Sequence, residues 1–287
     1  MNKIYNPKRA DWKDVLKRPT QTVADIEGLV NSIFEEVKTS GDSILKKYTQ
    51  QFDKVALENM LVSEVEIEEA KTLVSDELKA AIQLAKVNIE VFHSAQKTGR
   101  IEIETVPGVS CWQEKRPILK VGLYIPGGTA PLFSTILMLA VPATIAGCSE
   151  IVLCSPPDKE GKLNPAILYT ASLCGVTKII KVGGIQAIAG MTFGTETIPQ
   201  VYKIFGPGNQ YVTVAKQIAT KHGVAIDMPA GPSELLVVAD NTANAAFVAS
   251  DLLSQAEHGI DSQVILVSTS KNMIEEVEKE VALQLEE

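Results

Sequence analysis

The stretch Lys120-Val121-Gly122-Leu123-Tyr124-Ile125-Pro126-Gly127-Gly128 decides the fold. It is a short, nearly unbroken apolar run ending in a Pro-Gly-Gly turn, the pattern of a strand buried on both faces. Similar runs follow at residues 150–154, 177–182 and 201–205, their first residues roughly 23 to 30 positions apart. That interval holds one strand and one crossover helix. Helical patterns fill the gaps at 134–146, 164–174, 185–191 and 209–222. The chain therefore reads as α/β with a parallel sheet.

Working outward, the loop Asp227-Met228-Pro229-Ala230-Gly231-Pro232-Ser233 feeds another strand at 234–239. A helix at 244–258, a strand at 263–268 and an amphipathic helix at 271–287 continue the rhythm. A parallel sheet needs a further strand after such a crossover helix, so the series is expected to continue past residue 287. Upstream of residue 120 the texture is helical. Apolar residues recur at helical spacing over 22–40, a second helix covers 43–52, and a long one covers 75–98. Ser75 is placed to cap the long helix, with Leu78, Ala81, Ile82, Ala85, Ile89 and Phe92 facing inward. Alternation over 101–106 and 109–115 around Pro107-Gly108 reads as a β-hairpin.

Composition narrows the function classes. Hydrophobic residues make up 45% and charged residues 22% of the 287, ordinary for a folded protein. A net charge of −8 argues against nucleic-acid binding, which rewards clustered Lys and Arg. The polar N-terminus is not a signal peptide. The longest apolar stretch, near 136–146, contains Pro142 and is too short to span a bilayer. Four cysteines without a C-x-x-C pair fit reduced thiols in the cytoplasm.

Three Gly-rich turns end successive strands: Pro126-Gly127-Gly128, Gly183-Gly184 and Gly206-Pro207-Gly208-Asn209. Ligands of open α/β sheets bind outside the carboxyl ends of strands, where small residues admit phosphates to helix N-termini. A tight βα turn accounts for any one of them, and none is a G-x-G-x-x-G fingerprint, but three together form a candidate rim. Two prolines and a glycine stiffen the loop before Ser233 and Glu234, fixing both at the sheet edge. In Ser254-Gln255-Ala256-Glu257-His258-Gly259, Gln255 and His258 share one helix face and could offer a metal an oxygen and a nitrogen. A histidine at a helix end also serves as a dipole-stabilising cap. Cys111 and Cys148 read as small buried hydrophobes, although a thiolate at Cys148 could trap an aldehyde.

Taken together, these segments resemble histidinol dehydrogenase. The match is carried by Val121 through Gly128, Gly183-Gly184-Ile185-Gln186-Ala187-Ile188-Ala189, Phe205 through Asn209, Ile226 through Glu234, and Asp251 through Gly259 with Asp261-Ser262-Gln263-Val264. The resemblance implies oxidation of L-histidinol to L-histidine in two NAD-dependent steps by an intertwined, zinc-dependent homodimer. It implies that Tyr124, Gln186 and Asn209 contact NAD, and that Ser233 contacts substrate. Gln255 and His258 would be two of the zinc ligands and would also lie against the substrate. The family's acid–base Glu-His pair, its other two zinc ligands and its C-terminal tail are expected beyond residue 287. The 287 residues alone are then expected to be inactive, or else to form a non-catalytic nucleotide- or partner-binding protein that keeps the fold.

The expected architecture is two Rossmann-like parallel-sheet domains, one inserted into the other, behind an N-terminal arm over 1–20. Residues 21–120 with 234–287 form the first domain, and 121–233 form the inserted one.

Overall fold

The computed structural model describes residues 2–17, 23–127, 131–229, 233–258 and 262–286. A short helix α1 (Trp12–Val15) precedes α2 (Val23–Ser40), α3 (Asp42–Phe52), α4 (Glu64–Leu73) and α5 (Asp76–Ala95). The hairpin β1 (Ile101–Val106) and β2 (Val109–Gln113) follows. Strands and helices then alternate: β3 (Lys120–Tyr124), α6 (Phe133–Ala146), β4 (Glu150–Cys154), α7 (Pro165–Leu173), β5 (Lys178–Ile180), α8 (Gly184–Phe193), β6 (Lys203–Phe205), α9 (Gln210–Lys221) and β7 (Ala225–Ile226). Last come β8 (Glu234–Ala239), α10 (Ala245–Ala256), β9 (Gln263–Ser268) and α11 (Lys271–Gln284). Among the described residues, no helix is long and apolar enough to cross a membrane.

The chain divides into two compact units, Val23–Pro229 and Met1–Thr22 with Ala230–Glu287. In the larger unit the strands run parallel in the order β5-β4-β3-β6-β7. The chain moves outward from β3 to β5, then returns to place β6 on the other side of β3. The order therefore reverses at β3 and β6, where doubly wound sheets open a ligand crevice. Period-two alternation splits β3 between two cores: Val121, Leu123 and Ile125 are buried on one face and Tyr124 on the other.

Helices α2 to α5 belong to this larger unit, which corrects the expected grouping of 21–120 with 234–287. Burial of the crossover helices gives the reason. In α8, every residue from Ile185 to Thr192 is buried. In α7, the same holds from Ala166 to Ala171. A helix apolar on all sides needs cover on the side away from its sheet. Ile26, Val30, Ile33 and Phe34 of α2 supply it in the core containing α8. Ala70 of α4 and Ile82 of α5 join the core containing α6 and α7. Two further expectations change with this packing. Phe92 is 64% exposed rather than inward, and Ala81 is exposed as well.

The smaller unit contains a parallel β8–α10–β9 unit followed by α11. Its core joins Ala239, Val248, Ala249, Leu252, Met273, Val277 and Val281. Leu236, Val238 and Val267 are exposed. Strands β3 and β8 lie in different sheets.

Candidate functional site

In the larger unit, the three Gly-rich turns lie at the carboxyl ends of parallel strands. Gly128 lies outside the described residues, but Gly127 follows β3, Gly183 follows β5 and Gly206 follows β6. Their lack of side chains is required by close packing. A Cβ on Gly127 would sit 2.6 Å from Pro156 Cγ, and one on Gly183 would sit 2.4 Å from Pro156 Cβ. Gly206 adopts φ +130°, and a Cβ there would come within 2.1 Å of the Tyr124 carbonyl oxygen. Only glycine fits that position.

A partly buried ion pair fixes the backbone of Gly206. Lys216, 5% exposed, donates from Nζ to the Gly206 carbonyl at 2.7 Å and pairs with Asp227. Asp227 Oδ2 in turn accepts from the Gly206 N–H at 2.8 Å. Both backbone polar groups of Gly206 are thus held just ahead of Pro207-Gly208-Asn209. The pair spans α9 and the end of β7, so nothing local in the sequence announces it.

Tyr124 is buried at the end of β3, and its Oη accepts from the Gly184 N–H at 3.0 Å. Burial lifts the phenol to about 12, outweighing the Gly184 hydrogen bond, with a smaller push from the charge of Asp53. Gln186, 1% exposed, lies in the first turn of α8, and its Oε1 has no hydrogen-bond partner. That buried acceptor costs free energy unless a donor reaches it. Asn209 is exposed and caps α9, its Oδ1 accepting from the Val212 N–H at 3.1 Å. The fold therefore brings Tyr124, Gln186 and Asn209 to one edge of one sheet, beside the crevice between β3 and β6. A buried unpartnered amide oxygen and turns closed to side chains fit a nucleotide with donor-bearing groups.

The remaining candidates lie in the smaller unit. Ser233 is exposed directly before β8, while residues 230–232 of its loop lie outside the described residues. Gln255 is half-buried near the end of α10, and His258 is exposed just past it. The His258 N–H bonds the Gln255 carbonyl at 3.3 Å, and Gln255 Nε2 lies 3.4 Å from Ser262 Oγ. Gly259, expected to stop this helix, lies outside the described residues. Among the described residues, no group of three or more His, Cys, Asp or Glu is placed to hold a metal. Gln255 and His258 are two donors, and a closed zinc site takes four.

Burial works against a nucleophile at three of the cysteines. Burial raises the Cys148 thiol above its ordinary range, against thiolate formation. Burial also raises Cys154 strongly and Cys174 to about 11. Cys111, read from the sequence as buried, is exposed on β2. The hairpin explains the difference, since every residue of both its strands is exposed.

Sequence reasoning missed Asp53, which caps the C-terminus of α3. It is half-buried, its Oδ2 has no hydrogen-bond partner, and burial pushes its carboxyl up to about 6.

Residues 16–287 match the family model described as "Histidinol dehydrogenase". Histidinol dehydrogenase of Bacteroides fragilis is 59% identical over 285 residues, covering 99% of this chain and 67% of that protein. That of Escherichia coli K12 is 53% identical over 278 residues, covering 96% of this chain and 63% of that protein. The crystal structure of histidinol dehydrogenase from Elizabethkingia anophelis superimposes with a TM-score of 0.85 at 58% identity, over 98% of this chain and 65% of the other. The chain thus spans about two-thirds of the length of the curated relatives it matches.

Proposed function

We propose, from the premise that this chain belongs to the histidinol dehydrogenase family, that its larger unit is the NAD-binding part of an enzyme of histidine biosynthesis. The reaction is oxidation of L-histidinol to L-histidine through the aldehyde, with one NAD reduced in each step. The observation that carries the reading is the buried, unpartnered Oε1 of Gln186 beside the Tyr124–Gly184 hydrogen bond, at the sheet edge where the strand order reverses.

NAD, when bound, supplies the hydride acceptor. The chain's own residues bind and orient it. Gln186 offers an acceptor, Tyr124 holds the Gly184 peptide, and Asn209 keeps its amide nitrogen available while its oxygen caps α9. The clamp of Lys216 and Asp227 on Gly206 keeps the third turn in place, so little ordering is left to occur on binding.

Ser233 contacts the substrate in this reading, and Gln255 and His258 touch both substrate and zinc. A neutral amide oxygen and one imidazole offset little of the ion's dehydration, so these residues by themselves hold zinc weakly. The alcohol and the aldehyde hydrate must each lose a proton, and in this reading Tyr124, Gln186, Asn209, Ser233, Gln255 and His258 bind rather than serve as that base. Homodimer formation and a cytoplasmic location belong to the same proposal.

The test is reduction of NAD by the 287-residue chain with L-histidinol and added zinc, beside a histidinol dehydrogenase of full family length. The shorter chain is expected to be slower by about 10²-fold or more, the contribution of one acid–base group. Comparable rates would overturn this expectation. NAD binding is expected to survive in the shorter chain and to weaken in Gln186→Ala.

A further inference from the structure

Glycine populates positive and negative φ about equally, so nothing in Gly206 itself holds φ at +130°. Lys216 and Asp227 hold it, through the carbonyl at 2.7 Å and the N–H at 2.8 Å. Asp227 is anchored in turn, its own N–H bonding the Ile204 carbonyl at 3.2 Å, which ties the clamp to β6. On another side Gly206 lies against the Tyr124 main chain, where an added Cβ would reach the carbonyl oxygen at 2.1 Å. Past Gly206 the turn folds onto the start of α9. Asn209 Oδ1 accepts from the Val212 N–H, and a Cβ on Gly208 would meet Val212 Cγ1 at 2.4 Å. The backbone of one glycine thus links the end of β3, with Tyr124, to the turn that carries Asn209.

Lys216 is one of the buried residues of α9, in a row with Val212, Val214, Ala215, Ile218 and Ala219. An apolar side chain at 216 would need no partner there. Replacing both members of such an ion pair by apolar residues is often neutral or stabilising, so stability alone does not call for the charges. What they provide is a donor and an acceptor aimed together at the carbonyl and N–H of one residue. That arrangement fixes a backbone conformation. The turn it fixes is one of the three at the carboxyl ends of the strands.

We propose that Lys216 and Asp227 are positioning residues for NAD: acting through Gly206, they hold Tyr124 and Asn209 in the arrangement that the dinucleotide meets. This rests on the NAD reading above. It gives the pair a role in affinity separate from its role in stability. Neither side chain touches the dinucleotide in this reading.

The experiment is calorimetric titration of the 287-residue chain with NAD, beside urea unfolding of the same samples. The variants are Lys216→Met, Asp227→Ala and the two combined. Each single variant is expected to weaken NAD binding about tenfold, through lost preorganisation at a distance from the ligand. Each also strands one charge, and the combined variant strands none. Its urea midpoint should therefore recover part of the loss, while its NAD affinity stays at least as weak as in either single variant. If NAD affinity recovers together with the midpoint, the pair acts through stability alone and the inference is overturned. Native affinity in a folded Lys216→Met chain overturns it as well. If Gln186→Ala weakens binding and the clamp variants do not, the clamp inference fails and the NAD site stands. If the native chain binds no NAD, both readings fail. Should Lys216→Met not fold, Asp227→Asn and Asp227→Ala decide. Both strand Lys216, but the asparagine oxygen can still accept from the Gly206 N–H, so Asp227→Asn should bind NAD more tightly. Equal affinity of those two variants overturns the inference.

Discussion

The two units use the same βαβ grammar and end with different surfaces. In the larger unit both faces of the sheet are covered, and helices from the N-terminal third cover the crossover helices in turn. In the smaller unit Val237, Ala239, Val264 and Leu266 pack with α10 and α11, while Leu236, Val238 and Val267 on the same two strands are exposed. Apolar strand residues therefore carry different energies according to what lies over them. The full benefit of burying a leucine, about 1.5–3 kcal/mol, needs cover that β8 and β9 have only in part.

The largest expected effect breaks that comparison directly. Leu123 of β3 is 1% exposed and Leu236 of β8 is 59% exposed. Leu123→Ala should cost about 2–5 kcal/mol through lost burial and the cavity left behind. Leu236→Ala should fall within about 0.5 kcal/mol of the native chain. Urea unfolding of both variants measures the contrast, and equal losses would refute it.

A smaller effect concerns charge. Lys216→Met leaves Asp227 without its partner and the Gly206 carbonyl without its donor. Because the Asp227 side chain is 28% exposed, the loss should fall below the roughly 3–5 kcal/mol of a fully buried broken pair. It should also weaken NAD binding. Lys3→Met, at the surface pair with Glu278, should leave the urea midpoint unchanged.

The smallest effect is a difference of sign between two aspartates. Burial raises the Asp53 carboxyl to about 6, so between about pH 4 and pH 6 the folded chain binds more protons there than the unfolded chain. Its contribution to stability falls as pH rises through that window. Asp240 is shifted the other way, chiefly by the Thr242 hydroxyl and then by the Thr242 N–H. Its contribution is present above the ordinary aspartate value and is lost as pH falls below it. Melting temperatures of Asp53→Asn and Asp240→Asn from pH 3 to pH 7 should therefore diverge from the native curve with opposite slopes. Parallel curves would remove the distinction.

The strands of the larger sheet and their glycine turns were legible because periodicity and turn chemistry are local. Helix α4 was legible but not read. Ser63 and Glu66 form a capping box, with the Glu66 N–H bonded to Ser63 Oγ and the Ser63 N–H to the Glu66 carboxylate. Strand β7, two residues long, gives periodicity nothing to work with. The placement of the N-terminal helices was hidden for a different reason. Their apolar faces say that they pack, and only the all-round burial of α7 and α8 says where. For the site, Tyr124, Gln186 and Asn209 sit in or beside turns that the sequence marks. Asp53 and the clamp of Lys216 and Asp227 depend on approaches between distant segments, which no local pattern encodes.

Pro156 carries a consequence for how these turns tolerate change over evolutionary time. Its ring lies against both Gly127 and Gly183, so the two positions are epistatic through a third residue. The coupling is unequal. A side chain at 127 would meet the ring at Cγ, with Cβ 3.7 Å away, so Pro156→Ala opens room there. At 183 the obstacle is Cβ itself at 2.4 Å, with Cα at 3.0 Å, and alanine keeps both atoms. A lineage that lost this proline could therefore drift at 127 while remaining pinned to glycine at 183.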